Sequence, residues 1–204
     1  CEVIGLSQNK LLQEGAWECK APRTLAVAAR SVNGFYGKPK SALELYKNAS
    51  NDSNVPEDVT YNMQSLLINN LSTSAQKLIN KYIEGRGSLP ISREFSRQAK
   101  NLEVCLDLLD KDDFLRDNVE VSKLLLESYA IIRSKNYSGY NIAKAKLKNA
   151  LNIQPRAAYI HNALGMVYNY QEVFDSAYYH FKEAKQLVNS WSAPESNIGE
   201  NFLD

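Results

Sequence analysis

The side chains best suited to chemistry in this sequence are two histidines, three cysteines and one acidic cluster. His161 lies in Tyr-Ile-His-Asn-Ala and His180 in Tyr-Tyr-His-Phe, each inside a run with helical spacing. Neither belongs to an H-E-x-x-H pair or a similar ligand set, so each is expected to be a structural or solvated helix residue. Cys19 and Cys105 have no C-x-x-C partner or neighbouring histidine, and no metal site follows from them. Cys105, in Leu102-Glu-Val-Cys-Leu-Asp-Leu-Leu109, is expected to behave as a small buried hydrophobe. Asp110, Asp112 and Asp113 lack the glycine and terminal glutamate of a calcium loop and suit a solvated helix end. No G-x-S-x-G elbow, phosphate-cradling glycine loop or dinucleotide fingerprint occurs. The sequence therefore assigns no catalytic residue, no metal and no cofactor, and the expectation is a non-enzymatic protein.

Two weaker patterns have ordinary explanations. Asn48, Asn51, Asn70 and Asn136 each begin an N-x-S triplet, which chance supplies in an Asn- and Ser-rich chain. Lys144, Lys146 and Lys148 are two residues apart, so they cannot share one helix face as a compact phosphate site. They are expected to form a solvated flank.

Composition narrows the class further. The 204 residues carry 24 Lys plus Arg against 23 Asp plus Glu. That balance creates no general attraction for phosphate, and no nucleic-acid partner is expected. No apolar run approaches the roughly eighteen residues of a membrane-spanning helix.

The elements that must position these residues are helices. Leu6, Leu11, Leu12 and Trp17 mark a short amphipathic lead-in closed before Pro22, giving a first segment over 1–21. Irregular helical hairpins are expected over 22–117. The first joins the run from Arg23 to Asn33, across Gly34, Gly37 and Pro39, to Ser41 through Ala49. After a polar loop, Pro56 suits a first helical turn, and Tyr61, Met63, Leu66, Leu67, Ile68 and Leu71 form an apolar face. Ser72, Thr73 and Ser74 are then expected to cap a separate helix bearing Leu78, Ile79, Tyr82 and Ile83. A long helix over 91–109 places Phe95, Ala99, Leu102, Cys105 and Leu106 on one side, and Phe114 and Leu115 are expected to pack as the remnant of a short partner helix.

Over 118–204 the pattern becomes periodic. Leu164-Gly165 recurs 34 positions later as Ile198-Gly199, and Tyr168 as Phe202. Thirty-four positions earlier, Ala177, Phe181 and Ala184 correspond to Ala143, Leu147 and Ala150, with Pro155 closing that unit. A fixed period of this length marks a helical repeat. Small residues at Gly165 and Ala177 let two helices approach, Leu164, Tyr168 and Phe181 fill the space beside them, and Ala184 leaves room for the next hairpin.

The set Leu164, Gly165, Tyr168, Ala177, Phe181 and Ala184 resembles the tetratricopeptide repeat, and Ala143, Leu147, Ala150 and Pro155 extend the match upstream. There Ile131 stands at the usual glycine position unless a one-residue insertion makes Ala130 the equivalent. The last unit, from Trp191, covers one helix only. The resemblance implies an all-α solenoid of antiparallel hairpins, irregular at its N-terminal end. It also implies a groove lined by the first helix of each hairpin, with Tyr159, Asn162, Met166 and Asn169 facing a protein partner, or packing against the neighbouring unit. Ser128 and Ile132 would be their upstream counterparts. Asparagine amides there suit the polar groups of a bound peptide, and Tyr159 and Met166 suit its apolar side chains.

A chain starting at Cys1 also resembles bacterial lipoproteins, in which that cysteine is lipidated, or else Cys1 marks an incidental boundary. The first alternative implies a bilayer tether at Cys1, since three acyl chains exceed the roughly two lipid signals that stable anchoring needs. Glu2 in place of Asp implies the periplasmic face of the outer membrane. An acylated Cys1 would put Cys19 and Cys105 in an oxidising compartment, where pairing is chemically open to them. The combined design resembles repeat lipoproteins that act as pilotins or assembly factors for secretins and pili, including the tight-adherence pilus, and resembles other envelope scaffolds nearly as well. The alternative is a soluble cytoplasmic repeat chaperone or regulatory adaptor without an anchor.

Overall fold

The computed structural model describes residues 42–85, 88–135 and 137–201. The expected lipid attachment at Cys1, the expected lead-in over 1–21, Cys19, the expected helix from Arg23 to Asn33 with its Gly/Pro turn, and Phe202 and Leu203 lie outside the described residues. Among the described residues every regular element is helical. They are α1 (Ala42–Ser50), α2 (Glu57–Glu84), α3 (Ser92–Leu108), α4 (Arg116–Arg133), a 3₁₀ turn (Tyr137–Gly139), α5 (Tyr140–Ile153), α6 (Ala158–Tyr170), α7 (Phe174–Leu187) and α8 (Ala193–Asn201). The chain divides into two compact units, Cys1–Leu71 and Ser72–Asp204.

In the first unit Ala42 and Ala49 of α1 are buried, as are Val59, Met63, Leu67 and Leu71 of α2. Their spacing of four keeps the apolar residues of α2 on one stripe. Ala75 and Ile79 continue the stripe in the second unit. The expected break at Ser72-Thr-Ser74 is absent, and α2 runs through it. Ser and Thr lower helix propensity by only a few tenths of a kcal/mol each, whereas a stop needs a residue such as Gly or Pro. The next glycine, Gly85, takes the left-handed φ of 63° that ends a helix.

In the second unit the helices pack in successive antiparallel pairs, the all-α arrangement the sequence implied. α3 and α4 are clamped at both ends. The Ser92 hydroxyl donates to the Ala130 carbonyl at 2.7 Å and Arg133 Nε to that of Pro90 at 3.2 Å. At the opposite end the Arg116 guanidinium donates to the carbonyls of Leu106 and Leu109, at 2.9 and 3.0 Å. These are C-terminal carbonyls of α3 with no partner in their own helix, and a cation suits that end of the dipole. α4 begins already at Arg116, inside the segment expected to hold irregular hairpins, so α4 itself is the partner of α3. Phe114 is therefore not the packed remnant the sequence suggested: it is 84 % exposed, on the turn where Asp113 accepts the Leu115 N–H.

The pairs α4/α5 and α6/α7 follow the periodic pattern. Ala143, Leu147 and Ala150 of α5, and Ala177, Phe181 and Ala184 of α7, are buried at equivalent places. α5 stops at Ile153, two residues before Pro155. Each hairpin turn holds one non-glycine residue with left-handed φ, Lys135 at 54° and Glu172 at 59°. Alternate helices also touch, α4 with α6 and α6 with α8.

Candidate functional site

Gly165 sets the closest approach within the α6/α7 hairpin. A Cβ at this position would lie 2.4 Å from Cε1 and 2.5 Å from Cδ1 of Phe181. Phe181 is buried, so its ring rests where any other residue at 165 would place its side chain. Leu164 and Val167 are buried beside it, and Tyr168 is half-buried and stacked on His180. This packing holds the exposed or half-exposed side of α6 at a fixed angle to its neighbours.

Of the four residues expected on that side, Tyr159, Met166 and Asn169 are half-buried, while Asn162 is only 4 % exposed. Asn162 Oδ1 accepts from Asn197 Nδ2 of α8 at 2.9 Å, and its own amide points to the Met166 sulfur at 3.9 Å. The Tyr159 hydroxyl donates to Gln154 Oε1 at 3.1 Å, and Gln154 donates onward to Asn118 of α4. Partners 35 and 36 residues apart in the chain are thus joined, one repeat length within a residue or two. Asn162 and Tyr159 tie adjacent hairpins together as well as bordering this face. Of the upstream counterparts, Ser128 is fully buried with its hydroxyl on the Leu124 and Ala143 carbonyls, and Ile132 is buried. Asn162→Ala is expected to cost about 1–2 kcal/mol by leaving the Asn197 amide without its acceptor. Urea unfolding and faster amide exchange confined to α8 would show it.

The second unit also contains an aromatic cluster that reading helices singly does not reveal. Tyr129 of α4 is surrounded by Tyr82, with ring centroids 4.4 Å apart, and by Phe95 at 5.4 Å. Tyr82 meets Phe95 edge-on at 5.2 Å. Burial pushes the Tyr82 phenol up to about 12 and raises that of Tyr129 well above its ordinary range, so both stay neutral. One residue on, the Ile83 carbonyl accepts the Trp191 indole N–H at 3.4 Å. The end of α2 is thereby held between the α3/α4 pair and Trp191, two residues before α8.

Cys105 is buried, its sulfur 3.7 Å from the Ser72 hydroxyl, and burial pushes its thiol up to about 11, which suits an inert side chain. Asp110 and Asp112 are exposed, as expected of a helix end. The lysines of α5 are less solvated than expected. Lys144 donates to Gln171 Oε1 and lies 5.3 Å above the Tyr168 ring, Lys146 pairs with Glu127 at 2.7 Å, and only Lys148 is exposed. Among the described residues no group of three His, Cys, Asp or Glu is placed to hold a metal. No described helix is long and apolar enough to cross a membrane. His161 and His180, each expected to be a structural or solvated helix residue, meet across the α6/α7 hairpin. No protein-family model matches the chain, and neither a curated protein nor a solved structure matches it.

Proposed function

We propose that this chain is a non-enzymatic scaffold for protein–protein interaction, built from stacked helical hairpins of the tetratricopeptide-repeat kind. The observation that carries the reading is the close contact of Gly165 with Phe181, placed within antiparallel pairs whose alternate helices α4, α6 and α8 also touch. Pairs of this sort leave one side of each first helix uncovered by the second, and a row of such sides suits a peptide bound as a helix or an extended strand. Met166 and Asn169 stand on that side of α6, partly exposed, one apolar and one able to donate and accept hydrogen bonds.

The test is site-specific photo-crosslinking in the native cell, with a crosslinker placed in turn at Met166, at Asn169 and at the exposed Lys148 of α5. A single protein adduct formed from 166 and 169 and not from 148 supports the reading. Equal labelling from all three, or none from the α6 positions, refutes it.

A further inference from the structure

The chain has two histidines, and they form one hydrogen-bonded pair. His161 Nδ1 and His180 Nδ1 are 3.1 Å apart, and His161 Nε2 is 3.2 Å from the Pro155 carbonyl oxygen. That oxygen can only accept, so His161 Nε2 carries a hydrogen. In the neutral pair His161 Nδ1 must then accept from the Nδ1–H of His180, which leaves His180 Nε2 with a lone pair. One added proton on that nitrogen leaves the bond between the rings intact and charge-assisted, and transfer of its shared hydrogen to His161 Nδ1 moves the charge to His161 and leaves His180 neutral. A second added proton puts hydrogen on both Nδ1 atoms, and two N–H groups cannot face each other at this distance.

We propose that His161 and His180 form a one-proton site whose second protonation separates α6 from α7, so that this hairpin opens in acid. The pair sits where an opening would spread, because Pro155 belongs to the junction between α5 and α6. His161 is 7 % exposed, which gives a second positive charge little access to water.

The neighbouring groups add to the effect. From α5 the Lys148 ammonium acts on His180, and Lys144 lies over Tyr168. From α6 the Tyr168 ring stacks on His180 at 5.5 Å and 8°, and within α7 Tyr179 meets it edge-on at 5.1 Å. Burial, the charge of His161 and that of Lys148 together hold His180 down to about 4. In the unfolded chain both rings titrate near the ordinary value of about 6.5. Between these values the unfolded chain binds more protons than the folded one. The pair therefore costs no stability above pH ~6.5, and stability falls as pH drops from there toward 4. This inference is independent of what binds the outer side of α6.

With two histidines in the chain, an NMR titration of the wild-type protein follows each imidazole separately. The expected result is one ring that stays neutral until the pH approaches 4, with α6 parting from α7 as it titrates. In urea unfolding, the folded-to-unfolded ratio of the wild type should fall by up to about tenfold more per pH unit than that of His180→Gln between pH ~6.5 and 4.5. Two rings titrating together near pH 6.5, or parallel stability losses in wild type and variant, would overturn the proposal. Should His180→Gln fail to fold, His161→Gln serves for the second arm, and the wild-type titration decides the first on its own.

Discussion

Tyr129→Ala is expected to cost about 3–5 kcal/mol, a large fraction of the roughly 5–15 kcal/mol that holds an ordinary domain folded. Tyr129 is 1 % exposed and touches both Tyr82, near the end of α2, and Phe95 of α3. Removing its ring opens a cavity whose walls belong to three helices. None of them can move inward without giving up its other contacts. Aromatic pairs in such edge and tilted geometries add ~0.5–1.5 kcal/mol beyond the area they bury, and this substitution breaks two of them. Equilibrium urea unfolding gives the measurement, with Phe114→Ala as the control. Phe114 is also aromatic but 84 % exposed, so its loss should change stability by less than about 0.5 kcal/mol. Similar losses at both sites would show that the cluster is not the centre of the second unit.

Gly165→Leu is the second large effect, expected to destabilise by about 3 kcal/mol, the upper end for overpacking a closed contact. Even Gly165→Ala gains up to about 1 kcal/mol of helix propensity while forcing a Cβ to within 2.4 Å of the Phe181 ring. The smaller change should therefore still destabilise. A double-mutant cycle separates close packing from a backbone effect. If the ring is the obstacle, adding Phe181→Leu to Gly165→Ala should recover part of the loss, and the two changes will not add. Simple additivity would place the cost of the alanine elsewhere. Gly199, 34 residues on, offers a comparison, because a Cβ there meets nothing within 4 Å. Gly199→Ala should be neutral or slightly stabilising.

These two sites differ in how far the sequence reveals them. Gly165 and Phe181 lie within one hairpin, so the spacing of small and large residues records their contact directly. Periodicity likewise locates α5, α6 and α7, because each half of the pattern needs only its sequential neighbour. Tyr129 gives no such signal, since its neighbours Tyr82 and Phe95 belong to helices whose spacing does not repeat. The continuous α2 is hidden for another reason. Ser72-Thr-Ser74 has the composition of a cap, but side-chain capping requires a backbone already leaving the helix, and nothing there forces it to leave.

The candidate site is legible in part. The resemblance to the tetratricopeptide repeat implies a side of α6 bearing Tyr159, Met166 and Asn169, and all three are half-buried. It does not show that Asn162 is already engaged by Asn197, because that contact depends on how α6 and α8 are set against each other. The histidine pair is invisible for a similar reason, since spacing places each ring only within its own helix. Their meeting depends on the rotation of α6 against α7, a quantity that periodicity leaves open.

The bond from the Trp191 indole to the Ile83 carbonyl spans 108 residues, whereas the helix pairs between them are formed by neighbours in the chain. Closing a loop of that length carries a larger entropy cost than folding any single hairpin. Local pairs can therefore form quickly and in no fixed order, as in chains of low contact order. The Trp191 contact has to wait until the hairpins between its partners are in place. It stabilises the finished fold while adding little to the transition state, so it acts mainly on the rate of unfolding.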